Sequence, residues 1–272
     1  MKVSMYYDII SIDLDGTLLF PNNSLSKYTK NVIRMLSKKG IYFVIATGRH
    51  YIEANNIKNV LKIPAFLITS NGARIHDPYG KLIYSCDLDE SIVLRLVNLY
   101  LCKSNVFIQL HSHTHWYVNN IFYKDLNYYS SLGLQYTLFH IKNVICKNIS
   151  KLLFICKNTK FLFSLKDYIL NKFKKIVNVN FSSLYCIEVM SNKVSKGNAL
   201  KILLNILGLS LDNCLSFGDS MNDQDMLELS GKGCIMKNGD FFLKRSLFNM
   251  EVIGSNLEDG VAKYLTKIFK IN

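Results

Sequence analysis

The chain has 272 residues, 49% hydrophobic and 19% charged, with only three prolines; this excludes disordered or linker-rich sequence and suffices for one large domain or two modest ones. With 33 Lys and Arg against 20 Asp and Glu, the net charge is +13, which brings forward nucleic acid, an anionic membrane or an anionic small substrate as partners. Seven cysteines (Cys86, Cys102, Cys146, Cys156, Cys186, Cys214, Cys234) form an odd set with no C-x-x-C pair and read as buried thiols in a reducing compartment. No apolar run approaches the roughly 18 residues of a membrane span. The strongest, residues 202–211, is short and carries Asn205. Near the N-terminus, Asp8 and Asp13 interrupt any signal-peptide core that could follow Lys2. A cytoplasmic protein is expected.

Residues 6–12, rich in Ile and Tyr, read as a buried strand running into the loop Asp13-Leu14-Asp15-Gly16-Thr17. Thr29, Val32, Ile33 and Leu36 then recur at helical spacing, with Ser26 as the candidate N-cap and Gly40 just past the last turn. Residues 41–46 form a second buried strand, stopped by Thr47-Gly48-Arg49, and residues 65–69 a third, stopped by Ser70-Asn71-Gly72. Strands alternating with helices at this spacing predict an α/β fold with a Rossmann-like parallel-sheet core.

From residue 85 to 190 the segments shorten and aromatic density rises. Strands are expected at 106–110, 116–119, 151–156, 177–181 and 185–189, and helices near 89–103, 121–132 and 161–174. This predicts an inserted α/β cap domain at 85–190 that chooses the substrate, with a catalytic core made of 1–84 and 191–272. The first style then returns: a helix over 196–207 closed by Gly208, a strand at 214–217 running into Gly218-Asp219-Ser220-Met221-Asn222-Asp223, and short strands at 233–236 and 251–253.

In an open parallel sheet, ligands bind beyond the carboxyl ends of the strands. Asp13, Thr47, Ser70 and Asp219 each follow such a strand, so residues far apart in sequence are expected to converge on one crevice. One Asp after a strand is ordinarily a turn or helix cap. Four motifs in order, D-x-D-G-T, T-G-R, S-N-G and G-D-S-x-N-D, point beyond capping. Several carboxylates suit Mg²⁺, a hard ion that keeps water or phosphate oxygens in its shell. An Asp can attack phosphorus when a metal and a cation neutralise the repulsion.

These motifs, together with TSNGARIHD (69–77), IEVM (187–190), VSKG (194–197), GKGCIM (231–236) and EVIG (251–254), resemble the haloacid-dehalogenase-like phosphatases of Cof type over essentially the whole chain. The resemblance implies Asp13 as nucleophile and Mg²⁺ ligand, Asp15 as general acid and then base with its carbonyl on the metal, and Asp219 as a further metal ligand. It also implies Leu14, Thr47, Gly48, Lys196 and Asn222 as phosphate binders, with Asp223 behind them. Two residues apart in near-extended chain, Asp13 and Asp15 would point the same way. Lys196 would open a helix beside Gly197, where its charge and the helix N-terminus both favour an anion. After GCIM the family's small residue and Asn-Ala or Ser-Ala are replaced by Lys237-Asn238-Gly239-Asp240, read here as a loop.

His111, His113 and His115 alternate, so on one strand they would share a face; without a carboxylate or thiol at ligand spacing they read as solvent-facing or edge residues rather than a metal site. His50 is read as a helix-start or substrate-orienting residue. The expected function is a Mg²⁺-dependent phosphomonoesterase that hydrolyses small phosphorylated metabolites, such as sugar phosphates or pyridoxal 5′-phosphate, through an aspartyl phosphate. A sugar phosphomutase using the same intermediate is the alternative enzyme. A basic nucleic-acid-binding or regulatory protein is the alternative class, weakened by scattered lysines (Lys27, Lys38, Lys103, Lys142, Lys160, Lys244, Lys267) and the lack of a nucleic-acid motif. No nucleic acid and no membrane partner is expected; monomer and homo-oligomer both stay open.

Overall fold

The computed structural model describes residues 7–100, 105–113, 115–120, 133, 135–140 and 146–271. The chain divides into two compact units, one made of Met1–Arg49, Ala54–Tyr84 and Ser195–Asn272, the other of His50–Glu53 and Ser85–Val194. Residues 191–194 and the four residues after Arg49 thus pack with the second unit, which the change of texture in the sequence does not mark.

The first unit is an eight-stranded sheet flanked by helices. In chain order its elements are β1 (Ile9–Ile12), α1 (Lys27–Lys38), β2 (Tyr42–Ala46), α2 (Tyr51–Leu61), β3 (Ala65–Thr69), β4 (Arg74–His76) and β5 (Leu82–Ser85). Ser26 caps α1 by accepting from Thr29 N–H at 2.9 Å, as the sequence predicts. The strand order is β14-β13-β12-β1-β2-β3-β4-β5, with β12, β13 and β14 at Cys214–Gly218, Lys232–Met236 and Glu251–Ile253. Every pairing from β14 to β3 is parallel; β4 turns back antiparallel on β3.

Burial on both faces explains why β1 and β3 read as unbroken apolar runs. On one face Ile9, Val44, Phe66 and Ile68 pack against Ala199, Leu200, Leu203 and Leu204. On the other, the Phe217 and Tyr264 rings meet edge to face at 5.8 Å. The strand ends that matter lie side by side, because β12, β1, β2 and β3 are consecutive in the sheet.

The second unit is a six-stranded sheet, β10-β11-β9-β6-β7-β8, antiparallel except between β7 and β8. Its strands are β6 (Phe107–His111), β7 (His115–Val118), β8 (Gln135–Leu138), β9 (Lys151–Ile155), β10 (Val177–Ser183) and β11 (Cys186–Ser191). Two helices, α3 (Glu90–Tyr100) and α4 (Thr159–Phe173), cover one face through Ile92, Leu96, Leu162, Leu165 and Ile169, packed on Ile108, Leu110, Leu152, Phe154, Ile187 and Val189. Alternation then puts Gln109, His111, Lys151 and Glu188 on the helix-free face. The helix expected over 121–132 lies outside the described residues, as do Cys102 and the end of the 89–103 helix. Strands β4, β5 and β8, short and weakly patterned, have no counterpart among the predicted elements.

The histidines depart from expectation. They straddle a hairpin: His111 ends β6 and His115 begins β7, with Ser112 N–H donating to His115 O at 2.9 Å. A turn between them breaks the shared strand face. His111 is buried rather than exposed; its ring stacks on Trp116 at 4.2 Å and its Nε2 pairs with Gln109 Oε1 at 3.1 Å. Burial, then Lys151 and His50, hold its pKa well below the usual histidine value. His50 N–H meets Glu53 Oε2 at 3.2 Å at the helix start, and its Nε2 meets Ser112 O at 3.1 Å. Among the described cysteines, Cys156, Cys186, Cys214 and Cys234 are buried as expected, whereas Cys86 and Cys146 are half-buried; all are free thiols.

Phe154 has no solvent exposure and meets the Tyr100 ring edge to face at 5.6 Å. Phe154→Ala is expected to cost about 3–5 kcal/mol, read from urea unfolding followed by far-UV circular dichroism.

Candidate active site

At the end of β1 the chain leaves the sheet in a tight turn in which Thr17, Leu18 and Leu19 N–H groups all donate to Leu14 O, at 3.3, 3.0 and 2.9 Å. Asp13 is buried, whereas the Asp15 side chain is 57% exposed and ion-paired to Arg49, whose Nε donates to Asp15 Oδ2 at 2.8 Å and whose Nη2 contacts Oδ1. Leu14 has its side chain in the core, so only its backbone can serve the site. Gly16 takes φ +76°, and a Cβ there would stand 2.8 Å from Asp219 Cγ. Glycine at this turn therefore lets the loop after β1 and the Asp219 carboxylate touch.

The centre is Lys196. It begins α5 (Lys196–Leu207), is 1% exposed, and donates from Nζ to Asp13 Oδ1 and to Asp223 Oδ1 at 2.6 Å each. The solvated surface lysine that a lone Lys would suggest is excluded. The helix end itself is engaged elsewhere: Asn198 N–H donates to Ser195 Oγ at 3.1 Å and Gly197 N–H to Asp225 Oδ2 at 3.0 Å. Those partners take up two of the first amides of α5, and the lysine side chain places its own charge at the same helix end.

Asp219 follows β12. Its Oδ1 accepts from Thr17 Oγ1 at 3.1 Å, and its backbone N–H donates to Asp223 Oδ2 at 3.0 Å. Asp223 Oδ2 also accepts from Ser220 N–H at 3.1 Å. Both Asp223 oxygens are thus engaged, one with the lysine and one with two amides, which makes this carboxylate the frame that fixes Lys196 and Asp219 relative to each other. One carboxylate oxygen each from Asp13, Asp219 and Asp223 lie within 4.8 Å of one another.

Three carboxylates face one ammonium. Burial raises the Asp13 carboxyl well above the usual carboxylate range; Lys196 pulls it down, while Asp223 and Asp219 push it further up. Burial and Asp223 bring Asp219 up to about 6, against the pull of Thr17 and Lys196. For Lys196, burial opposes the charge, but Asp13 and Asp223 outweigh it and leave the pKa above the ordinary lysine value. This surplus of buried negative charge is what a divalent cation with oxygen ligands would relieve, so the donor set fits a hard metal. Asp13 and Asp219 are the residues that could hold it, since both Asp223 oxygens are already engaged.

Thr47 and Gly48 follow β2. Thr47 is fully buried; its Oγ1 accepts from Arg49 N–H at 3.1 Å and its carbonyl from Asn71 N–H at 3.0 Å. Asn222 is exposed and donates from Nδ2 to Asn71 Oδ1 at 3.0 Å. The loop after β13 braces the turn that follows Asp13: Asn238 Nδ2 donates to Gly16 O at 2.7 Å and its Oδ1 accepts from Asn256 N–H at 3.0 Å. Sequence reasoning assigned no role to Arg49, Asn71, Thr17 or Asn238. Arg49 and Asn71 sit in the T-G-R and S-N-G motifs; Thr17 and Asn238 reveal their partners only in three dimensions.

Residues 10–265 match the family described as haloacid dehalogenase-like hydrolase. A relative from Buchnera aphidicola subsp. Baizongia pistaciae, named as a candidate phosphatase, is 54% identical over 265 residues, 97% of this chain and 99% of its own. The HMP-PP phosphatase of Cronobacter sakazakii is 32% identical over 256 residues, covering 94% of this chain and 93% of that one. A crystal structure from Thermotoga maritima superposes with a TM-score of 0.84 at 26% identity, covering 97% of each chain. The chain belongs to the haloacid dehalogenase-like hydrolases, an enzyme family, and within it to the phosphatases of Cof type.

Proposed function

We propose that this phosphatase is a Mg²⁺-dependent phosphomonoesterase acting on small phosphorylated metabolites through an aspartyl phosphate on Asp13. The observation that carries this reading is the buried Lys196 ammonium, 2.6 Å from both Asp13 and Asp223, beside a carboxylate cluster one positive charge cannot neutralise. Lys196 orients the Asp13 carboxylate and presents a cation where a phosphoryl group would add its own negative charge. A Mg²⁺ ion held by Asp13 and Asp219, with the Asp15 carbonyl, would supply charge neutralisation at the phosphoryl oxygens.

An Asp13 oxygen attacks phosphorus, the ester P–O bond breaks, and Asp15 gives its proton to the leaving oxygen. Asp15 then takes a proton from water as that water attacks phosphorus, the bond to Asp13 breaks, and inorganic phosphate leaves. The exposed Asp15 side chain can reach a leaving oxygen; both its oxygens accept from Arg49 here, a pairing that must open for Asp15 to carry the proton it donates. Thr47 and the backbone of Leu14 and Gly48 serve as phosphate binders, and Asn222 joins them from across the strand ends.

The second unit is proposed as the selector of the leaving group. Polar side chains on the helix-free face of its sheet support this, Lys151 and Glu188 paired at 3.0 Å with Gln109 and His111 on the same side, beside the apolar Phe107 and Val118. Tyr117 packs against the helix-covered core, and Asn119 accepts from Ile108 N–H at 2.8 Å and donates to Val106 O at 3.0 Å. Among the described residues no helix is long and apolar enough to cross a membrane.

The test is a panel of sugar phosphates, pyridoxal 5′-phosphate and HMP-PP, the compound for which the Cronobacter relative is named. Phosphate release from at least one ester is expected, and its absence from all of them defeats the reading. Asp13→Asn is expected to lower kcat by about three orders of magnitude or more, measured as released phosphate. Chelation should abolish turnover and added Mg²⁺ restore it; full activity in excess chelator rules out the metal. Gly16→Ala, by displacing Asp219 and forcing Ala to a positive φ, is expected to reduce kcat/KM about a hundredfold.

A further inference from the structure

The loop after β13 reaches past its neighbour. In the sheet order β14-β13-β12-β1, the end of β12 lies between the ends of β13 and β1, yet the loop after β13 holds the loops after both. Asp240 N–H donates to Asp219 O at 2.7 Å, and Gly239 comes so near that a Cβ would stand 3.1 Å from that same oxygen. One residue earlier, Asn238 Nδ2 donates to Gly16 O at 2.7 Å. Three consecutive residues therefore grip the two loops that carry Asp13 and Asp219.

The Asn238 amide is engaged at both ends. Its Oδ1 accepts from Asn256 N–H at 3.0 Å, and the buried Asn256 donates from its own Nδ2 to Leu19 O at 2.8 Å. Two asparagines, one following β13 and one following β14, thus clasp the turn after β1 at Gly16 and at Leu19. The carbonyl that Asn238 holds belongs to the Gly16–Thr17 peptide, and Thr17 Oγ1 donates to Asp219 Oδ1 at 3.1 Å. Asp219 is therefore fixed from the same loop twice: at its carbonyl by Asp240, and at its carboxylate through Asn238 and Thr17.

One oxygen of Asp13 and one of Asp219 lie within 4.8 Å of each other, and like charges at that range repel. A lysine used as the brace would cancel part of that charge. Asparagine holds the loops by neutral hydrogen bonds and leaves the charge to a cation. Ligands kept together before the ion arrives bind it at a lower ordering cost, and residues behind the ligands carry that effect.

We propose that Asn238 is a positioning residue for the divalent cation: from its anchor on Asn256 it holds the Gly16–Thr17 peptide, keeping the loops of Asp13 and Asp219 together for the ion. The inference rests on the Mg²⁺ reading above and adds to it a residue outside the carboxylate set. A brace that served stability alone would lower the melting temperature equally with and without Mg²⁺ and leave Mg²⁺ affinity unchanged.

Mg²⁺ alone, titrated into the full chain and read by calorimetry, tests this without turnover. Asn238 is exposed, so its truncation leaves the core intact. Asn238→Ala is expected to raise the Mg²⁺ dissociation constant about tenfold. The rise in melting temperature that Mg²⁺ brings to the wild-type chain should shrink accordingly. Thr17→Val, which loses the hydroxyl and keeps the shape, should weaken Mg²⁺ by a similar factor. The double variant should fall well short of the product of the two losses, because both act through one peptide. Wild-type Mg²⁺ affinity in Asn238→Ala, or losses that multiply in the double variant, overturn the proposal and leave Asn238 a loop former. Absence of Mg²⁺ binding by the wild-type chain is a different result, which defeats the metal reading and the proposal with it.

Discussion

Everything in the catalytic unit is arranged around one ammonium with almost no access to water. A lysine buried at 1% exposure is tenable only if opposite charges and hydrogen bonds replace its hydration, and Asp13 and Asp223 do so at 2.6 Å each. Removing either carboxylate would leave a charge stranded, so the three residues stand or fall together. Asp223 in turn grips the two amides at 219 and 220 with its second oxygen, so the same carboxylate that satisfies the lysine also sets the backbone bearing Asp219. The arrangement leaves more negative charge than Lys196 can balance. Such a site is stabilised by a divalent cation and a phosphate arriving together, since each lowers the cost of the other's charge.

Much of this was legible because parallel strands buried on both faces write themselves as unbroken apolar runs, and the loop at the end of each run is where a ligand can sit. The runs ending before Asp13, Thr47, Ser70 and Asp219 gave four loops, and the order β12-β1-β2-β3 explains why four distant motifs become neighbours. The turn beyond Asp15 was not legible: nothing in the D-x-D-G-T pattern says that three N–H groups fold back on the Leu14 carbonyl or that Asp15 pairs with Arg49. Nor could the sequence tell that Ser195 and Asp225 would take up the Asn198 and Gly197 amides at the start of the lysine helix. In the second unit, alternate histidines looked like one strand face because a hairpin turn of a few polar residues leaves little trace in hydropathy.

The net charge of +13 narrows in meaning at the same time. The charges that matter for chemistry are mostly acidic and local, gathered at strand ends against a single lysine. A net positive protein with a locally acidic centre is a reasonable host for a doubly bound anion, because long-range attraction is screened within about 10 Å at ordinary salt whereas the buried charges are not. Basic residues elsewhere bear on solubility and encounter rather than on the reaction.

The pairing of β1 with β12 has a further consequence, for the order in which the chain becomes an enzyme. Asp13 and Lys196 stand 183 residues apart, so on a ribosome adding about 5–20 residues per second this carboxylate waits roughly 10–40 seconds for its cation. During that interval β1 lacks one of its two sheet neighbours, and the Asp13 carboxylate cannot be buried in ionised form without cost. Closing such a long loop between parallel strands is a slow step, so the active centre is expected among the last parts of the first unit to consolidate. A half-made chain would expose apolar strand edges while chemically inert, which makes assembly of this site a point of vulnerability during synthesis and links catalytic competence to completion of the sheet.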